Sequence, residues 1–478
     1  MIKMPILPFI DENTDVPLYV QIYNYIKNEI VTGKITKNTR LPSIRKLSNF
    51  LSVSTTSVEN AYLQLVAEGF IESKPKSGYI VLDLPEPVFS LDKENMNIRP
   101  PLQSYPMFDA TEYPFDFHFS MNDFSYFPFQ IWRRLYTEVL QQEHKRLLFY
   151  GDLQGEMELR CEIAKYLHQY RGVKCTPEQI VIGANQFQLI SLLAIMFKSY
   201  TTSMGVENPG YLTLPSVFRN HNYKVIPISL EGDGITIREI YENNLQLVCV
   251  SPSHQFPRGM TMPISKRLQL LEWAKEVDGF VIEDDYDGEF RYYGRPIPSL
   301  QGLMKNSNVI YLGGFSQILS PAICVNYMVL PEQLVESYHY HKNEMIVDQS
   351  SSRLHQKVLQ LFMKRGYLEK HIRKMRKIYR TKHDLVVKSV QETFKARGKL
   401  IGKDAGFHVL LQLESNKSEK ELVELSKKAG IRIIPASFTW LQPTEKIPNE
   451  FLLGFCGIEL DKIEEGVRKL HKVWILDE

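Results

Sequence analysis

The acidic run Glu283-Asp284-Asp285-Tyr286-Asp287-x-Glu289-Phe290 gathers five carboxylates and a phenol within a few residues. Taken alone, such a run reads as strand-end carboxylates satisfied by nearby amides. A second group, Gly314-Phe315-Ser316-Gln317 followed by Cys324, offers an amide and a thiol. A primary amide is neither basic nor nucleophilic, so Gln317 cannot form an imine with an aldehyde. A thiol of ordinary pKa is mostly protonated and is a weak nucleophile. A third group is the row Ser54, Thr55, Thr56, Ser57 and Asn60, preceded by Lys34, Lys37, Arg40, Arg45 and Lys46 with no acid between Lys34 and Lys46. Hydroxyls and backbone amides at a helix start suit phosphate oxygens and base edges. A local run of bases draws a phosphate backbone, although most such runs are solvated surface.

The elements that must position these groups are legible in the periodicity. Leu18, Ile22, Ile26 and Ile30 recur every four residues, which predicts an amphipathic helix ending at Gly33. Ser43 is placed to cap a second helix bearing Ile44, Leu47 and Leu51, and Ser54 a third bearing Val58, Ala61, Leu65 and Val66. Phe70-Ile71-Glu72 and Tyr79-Ile80-Val81 flank Lys74-Pro75-Lys76-Ser77-Gly78, a hairpin. Residues 10–83 therefore read as one unit, and the proline-rich stretch 84–114 reads as a linker. From residue 115 to 478, apolar runs at Gln179–Ile182, Leu245–Val250, Phe280–Ile282 and Val309–Leu312 alternate with helix-length segments, the mark of an α/β parallel sheet covered by helices. A long basic helix around Leu368–Phe394 leads to strand-like runs at Phe407–Leu413, Ile431–Pro435 and Phe451–Phe455 and a helix before Trp474, a smaller α+β lobe.

Composition bounds the reading without deciding it. The 478 residues exceed one ordinary domain, and 44% apolar content can fill large cores. A net charge of +2 favours no partner, and residues 1–84 hold nine Lys or Arg against eight Asp or Glu, so any nucleic-acid footprint must be local. Five scattered cysteines without a C-x-x-C pair suit reduced thiols rather than disulfides or a metal site. Met1–Asp11 does not read as a signal peptide, and the longest apolar stretch, Leu189–Phe197, is about half a membrane span. The expectation is a cytoplasmic protein with no membrane association.

Three helices and a hairpin follow the winged helix-turn-helix plan. The wording Pro17-Leu18-Tyr19, Leu41-Pro42-Ser43-x-Arg45, Val53-Ser54, Ala61-Tyr62 and Glu68-Gly69-Phe70 resembles the GntR family. The resemblance implies a major-groove helix led by Ser54, Thr55, Thr56, Ser57 and Asn60, with Ser43, Arg45 and the wing residues Lys76, Ser77 and Gly78 on the DNA. Thr55 stands where the family commonly has arginine, and Glu59 where a base is frequent, so fewer charged contacts are expected, with either lower affinity or more reliance on pairing of two copies.

Residues 115–478 resemble the fold-type I aminotransferases, through Tyr150-Gly151-Asp152-x-Gln154-Gly155, Leu159-Arg160, Glu207-Asn208-Pro209-Gly210-Tyr211, Pro252-Ser253-His254-Gln255-Phe256-Pro257-x-Gly259, the acidic run and Gly314-Phe315-Ser316. With the GntR-like head, the whole chain looks like the MocR/GabR group of regulators. That resemblance implies a homodimer and a pyridoxal phosphate pocket, with Asp284 at the pyridine nitrogen, Tyr286 at the ring hydroxyl, and Tyr211 and His254 along the wall. It also implies a Schiff-base lysine at Gln317 and a phosphate-binding arginine at Cys324, both replaced here. Loss of such a charge-assisted contact costs roughly 1.5–3 kcal/mol. Asn185 and Phe187 replace a glycine and a glutamine of the phosphate loop, and arginines that hold an effector carboxylate in relatives are absent near Thr213 and at Gly457. The expected function is a DNA-binding regulator of a double-stranded operator that dimerises, is not an enzyme, and takes a small-molecule effector without covalent cofactor. The alternatives are non-covalent pyridoxal phosphate, an empty structural cleft and, least supported, a working aminotransferase.

Overall fold

The computed structural model describes residues 14, 16–75, 77–84, 113–143, 145–344, 351–442 and 449–476. The chain divides into two compact units, residues 1–110 and 111–478. Most of the stretch read as a linker, and the wing residue Lys76, lie outside the described residues.

In the first unit, α1 (Leu18–Val31), α2 (Ile44–Leu51) and α3 (Thr55–Ala67) precede the antiparallel hairpin β1 (Ile71–Lys74) and β2 (Gly78–Val81). The serines act as the sequence predicts. Ser43 Oγ accepts from the Lys46 amide at 3.4 Å and Ser54 Oγ from the Ser57 amide at 3.1 Å, each relieving an orphan donor at its helix start. Gly78 takes φ +80°, the left-handed conformation that the tight return of the hairpin requires. Ile22, Leu47, Val58, Ala61, Leu65, Ile71 and Val81 close one core over which the helices lock. Tyr62 is fully buried in it and donates its hydroxyl to the Pro42 carbonyl at 3.0 Å, fixing α3 against the chain entering α2.

The second unit is built on an eight-stranded sheet. Its strands are β4 (Ile180–Gly183), β5 (Ser203–Asn208), β6 (Lys224–Glu231), β7 (Gly234–Ile235), β8 (Leu247–Val250), β9 (Phe280–Asp284), β10 (Val309–Gly314) and β11 (Asn326–Val329), and the order is β4-β11-β10-β9-β8-β5-β6-β7. Strands β5, β6, β8, β9 and β10 run parallel, but β11 is antiparallel to both neighbours and β7 turns back on β6. The sheet is therefore mixed rather than parallel throughout. The chain between β10 and β11 holds only a short 3-10 turn and no crossover helix, so it can only return antiparallel. Buried apolar side chains on both faces form separate cores against the covering helices. The helix Tyr367–Phe394 leads to a four-stranded sheet of β12 (Gly398–Ile401), β13 (His408–Leu413), β15 (Ile434–Pro435) and β16 (Glu450–Gly454), the smaller lobe. A short β14 (Ile431–Arg432) pairs with β3 (Phe115–Asp116), tying this lobe to the start of the unit.

Tyr62→Phe removes one buried donor and leaves the Pro42 carbonyl unpaired. It is expected to destabilise the first unit by about 1–2 kcal/mol, measured by denaturant unfolding, with circular dichroism at low denaturant unchanged.

Candidate functional site

On the first unit, Arg45, Ser54, Thr55, Thr56 and Asn60 are exposed. Ser54 and Ser57 bond each other, Oγ to Oγ at 2.9 Å, and close the cap, which leaves Thr55, Thr56 and Asn60 as the leading side chains of α3. The basic footprint is narrower than its sequence suggests. Lys34 pairs with Glu29 at 2.8 Å, Lys37 with Asp83 at 3.0 Å and Lys74 with Glu72 at 2.5 Å. Arg40, Arg45 and Lys46 are exposed and make no ion pair among the described residues. On the wing, Ser77 donates its amide to the Lys74 carbonyl at 3.0 Å, and a Cβ on Gly78 would stand 3.6 Å from the Arg40 guanidinium. Arg40 thus lies beside the hairpin, a place its sequence position does not reveal.

In the second unit the acidic run lies at the C-terminal end of β9, where ligands gather in open α/β sheets. Glu207, Glu283, Asp284, Asp285, Asp287 and Glu289 are all buried, yet their partners differ. Asp285 meets the Arg171 guanidinium at 2.6 Å and receives the Tyr311 hydroxyl. Glu283 accepts the amides of Leu300 at 2.7 Å and Gln301 at 3.0 Å. Glu289 receives the Tyr166 hydroxyl. Asp287 Oδ2 lies 2.7 Å from His254 Nδ1, and the Tyr286 hydroxyl is 2.9 Å from the same nitrogen. His254 is therefore held by its neighbours, with Nε2 unpartnered among the described residues.

Among the described residues Asp284 and Glu207 meet no cation; Asp284 accepts only the Gln186 amide at 2.8 Å, and Glu207 Oε2 accepts the Ser251 amide at 3.1 Å while Oε1 has no partner. Burial, reinforced by the Asp285 charge, pushes Asp284 up to about 7. Burial pushes Glu207 up to about 8, with the Asp284 charge adding to it. Gln186 and Glu207 are site residues to which the sequence assigned no role, although Glu207 opens a quoted motif and Gln186 stands between Asn185 and Phe187.

The resemblance calls for a lysine at Gln317 and an arginine at Cys324. Gln317 is half-buried; its carbonyl accepts the Asn122 amide at 2.9 Å and its Oε1 is unpartnered. Cys324 is exposed in the left-handed conformation, φ +53°, with Sγ 3.6 Å from the Pro321 carbonyl. Lys382 is buried, but its ammonium is held by Asp123 at 2.7 Å and the Cys456 carbonyl at 2.8 Å. At the phosphate loop, Asn185 Oδ1 accepts the Gln188 amide and Gln188 Oε1 accepts the Ala184 amide, at 2.8 and 2.9 Å. Two donors that could face a phosphate are thereby occupied by side chains. These residues do not fit a covalently held pyridoxal phosphate. Tyr211, 39% exposed, stands edge-on to Phe256 at 5.9 Å.

Residues 116–470 match the family described as aminotransferase class I and II, and residues 18–81 match the bacterial regulatory proteins of the gntR family. The chain belongs to the aminotransferase class I and II family, fused to a GntR-type winged helix. It is 41% identical to the HTH-type transcriptional regulator YdeL of Bacillus subtilis over 98% of this chain and 100% of that one. It is 30% identical to the probable rhizopine catabolism regulatory protein MocR of Rhizobium meliloti, over 98% of this chain and 95% of the relative. Among solved structures, the kynurenine aminotransferase of Pyrococcus horikoshii superposes with a TM-score of 0.68 at 26% identity, covering 76% of this chain and 91% of that one.

Asp284 binds its proton more tightly folded than unfolded. Its contribution to stability is fully present below the unfolded value near 4 and is lost as pH rises through about 7. Asp284→Asn is therefore expected to melt about 2–6 °C above the parent chain near pH 8, with the gap closing toward pH 5. Scanning calorimetry at the two pH values checks this; a variant that melts lower near pH 8 would mean the carboxylate is compensated.

Proposed function

We propose that the chain is a DNA-binding transcription regulator acting in the cytoplasm, in which the winged helix reads an operator and the aminotransferase-like domain pairs two copies and takes up a small effector. In this reading it is not an enzyme and holds no covalent cofactor. The observation that carries the DNA assignment is the free leading edge of α3, Thr55, Thr56 and Asn60, beside Arg40, Arg45 and Lys46 without intramolecular ion pairs. The regulatory names of the relatives over nearly the whole chain support it. No described helix is long and apolar enough to cross a membrane.

Pairing of two copies is supported by Leu148, Phe149 and Tyr150, exposed at 86%, 72% and 71%. A contiguous apolar tip of this kind costs solubility unless covered. It is also held in place: Arg353 Nη1 donates to the carbonyls of Arg146 at 2.7 Å and Phe149 at 2.8 Å, while its Nε pairs with Glu156. A rigid apolar tip loses little entropy on being covered. Two heads on a symmetric dimer suit paired half-sites.

The case against an aldehyde-bound cofactor rests on Gln317, whose amide supplies neither the imine nitrogen nor a base. A second reading keeps pyridoxal phosphate as a non-covalent effector. Asp284 favours it, since a protonated ring nitrogen would compensate that buried carboxylate; Cys324 and the occupied loop amides work against it.

DNase I footprinting on the gene's own upstream region tests the assignment. A discrete, two-fold protected site is expected. Arg45→Ala should weaken it about tenfold and reduce the salt slope by about 1. Sequence-indifferent binding by folded, dimeric protein would contradict the operator assignment.

A further inference from the structure

Asp284 and Glu207 lie at the C-terminal ends of β9 and β5, and the Asp284 charge acts on Glu207. Among the described residues only neutral N–H donors reach them: the Gln186 side chain for Asp284 and the Ser251 amide for Glu207. Nearby cations are otherwise engaged. Arg171 is on Asp285, Lys382 on Asp123, Arg258 on Glu450, and Arg267 on the carbonyls of Met262, Pro298 and Pro252.

A second, independent observation is the set of acceptors left open. Glu207 and Asn122, each 6% exposed, leave Oε1 and Oδ1 unpartnered, and so does Gln317 Oε1. The Asn122 side-chain amide donates to the Gln317 main-chain carbonyl, so the two residues are neighbours. Buried acceptors without donors are rare in folded proteins, and several together call for a partner rich in N–H groups. An apolar wall completes the arrangement. Phe256 contacts Tyr286, Tyr211, Phe119 and Phe438, with ring centroids 6.1, 5.9, 5.6 and 6.4 Å away. Faces of such rings attract cations as well as flat apolar bodies.

We propose that this cleft binds a small aromatic cation without a phosphate, its charged N–H groups received by Asp284 and Glu207 and its ring lying against the wall around Phe256. The inference rests on the non-covalent pocket proposed above and names its ligand class. The two positions at which the family resemblance calls for cations carry Gln317 and Cys324, while the carboxylates remain. An anionic ligand would meet uncompensated negative charge, whereas a cation both neutralises the pair and fills the open acceptors.

The test uses the full-length chain and three probes: benzylamine, benzyl alcohol as its neutral counterpart, and pyridoxal phosphate. Thermal melts and isothermal titration calorimetry near pH 8 read binding. Benzylamine is expected to raise the melting temperature in a saturable way and to bind at least tenfold more tightly than either other probe. Asp284→Asn and Glu207→Gln, which each remove a buried charge without changing shape, should weaken benzylamine at least tenfold while remaining folded. Phe256→Leu should weaken it less, through the wall alone. The proposal is overturned if benzyl alcohol or pyridoxal phosphate binds as well as benzylamine, if benzylamine gives no saturable shift, or if both carboxylate variants bind it unchanged. A footprint on the operator in the same samples separates failure of this ligand class from failure of the regulator reading, because the footprint does not depend on the probe.

Discussion

A carboxylate taken out of water must be met by a proton, by donors or by a cation, at a cost of several kcal/mol if none is present. The C-terminal edge of the large sheet buries Glu207, Glu283, Asp284, Asp285, Asp287 and Glu289 together, and its local structure is organised by that requirement. Arg171, on the last turn of the helix Met157–Arg171, reaches Asp285, and it also feels Glu289. Backbone amides of Leu300 and Gln301 turn toward Glu283, and His254 is held against Asp287. These four acids are absorbed into the scaffold. Among the described residues Asp284 and Glu207 are met by neutral donors alone, and burial raises them as it also raises Glu283, Asp287 and Glu289. The scaffold therefore compensates four of the six buried carboxylates and leaves Asp284 and Glu207 to neutral donors among the described residues.

The winged helix is governed by a different constraint, the satisfaction of helix-start amides. Ser43 and Ser54 meet it locally, and Tyr62 carries the geometry of α3 across to Pro42. Because Ser54 and Ser57 are consumed by the cap, Thr55, Thr56 and Asn60 are the exposed polar side chains left at the start of α3, and in the proposed operator reading specificity falls to them and charge to Arg40, Arg45 and Lys46. A head with so few free bases gains little from one half-site. In the proposed dimer, two heads would multiply that modest affinity through effective concentration.

Much of this was legible in the sequence where the signal was local. The caps, the apolar periods of α1 to α3, the hairpin, the strands at β4, β8, β9 and β10 and the long helix Tyr367–Phe394 follow from spacing within a dozen residues. What depends on distant partners was not. Lys37 pairs with Asp83, so a base that reads as free is engaged from the far end of the domain. The antiparallel direction of β11 leaves no trace in its apolar run, since a strand buried on both faces reads alike in either direction. The motifs located Asp284, Tyr286, Tyr211 and Gln317 near one another by family likeness alone. The wall completed by Phe119 and Phe438, and the open oxygen of Asn122, come from segments hundreds of residues apart with no motif to announce them.

The account stands most directly on the claim that no side chain in the pocket forms a covalent bond with an aldehyde cofactor. Incubating the purified chain with pyridoxal phosphate, reducing with borohydride and mapping the peptides by mass spectrometry measures this. The account predicts only substoichiometric labelling scattered over exposed lysines, with the peptide containing Gln317 unmodified. A stoichiometric reduced adduct on one lysine at the pocket would contradict it.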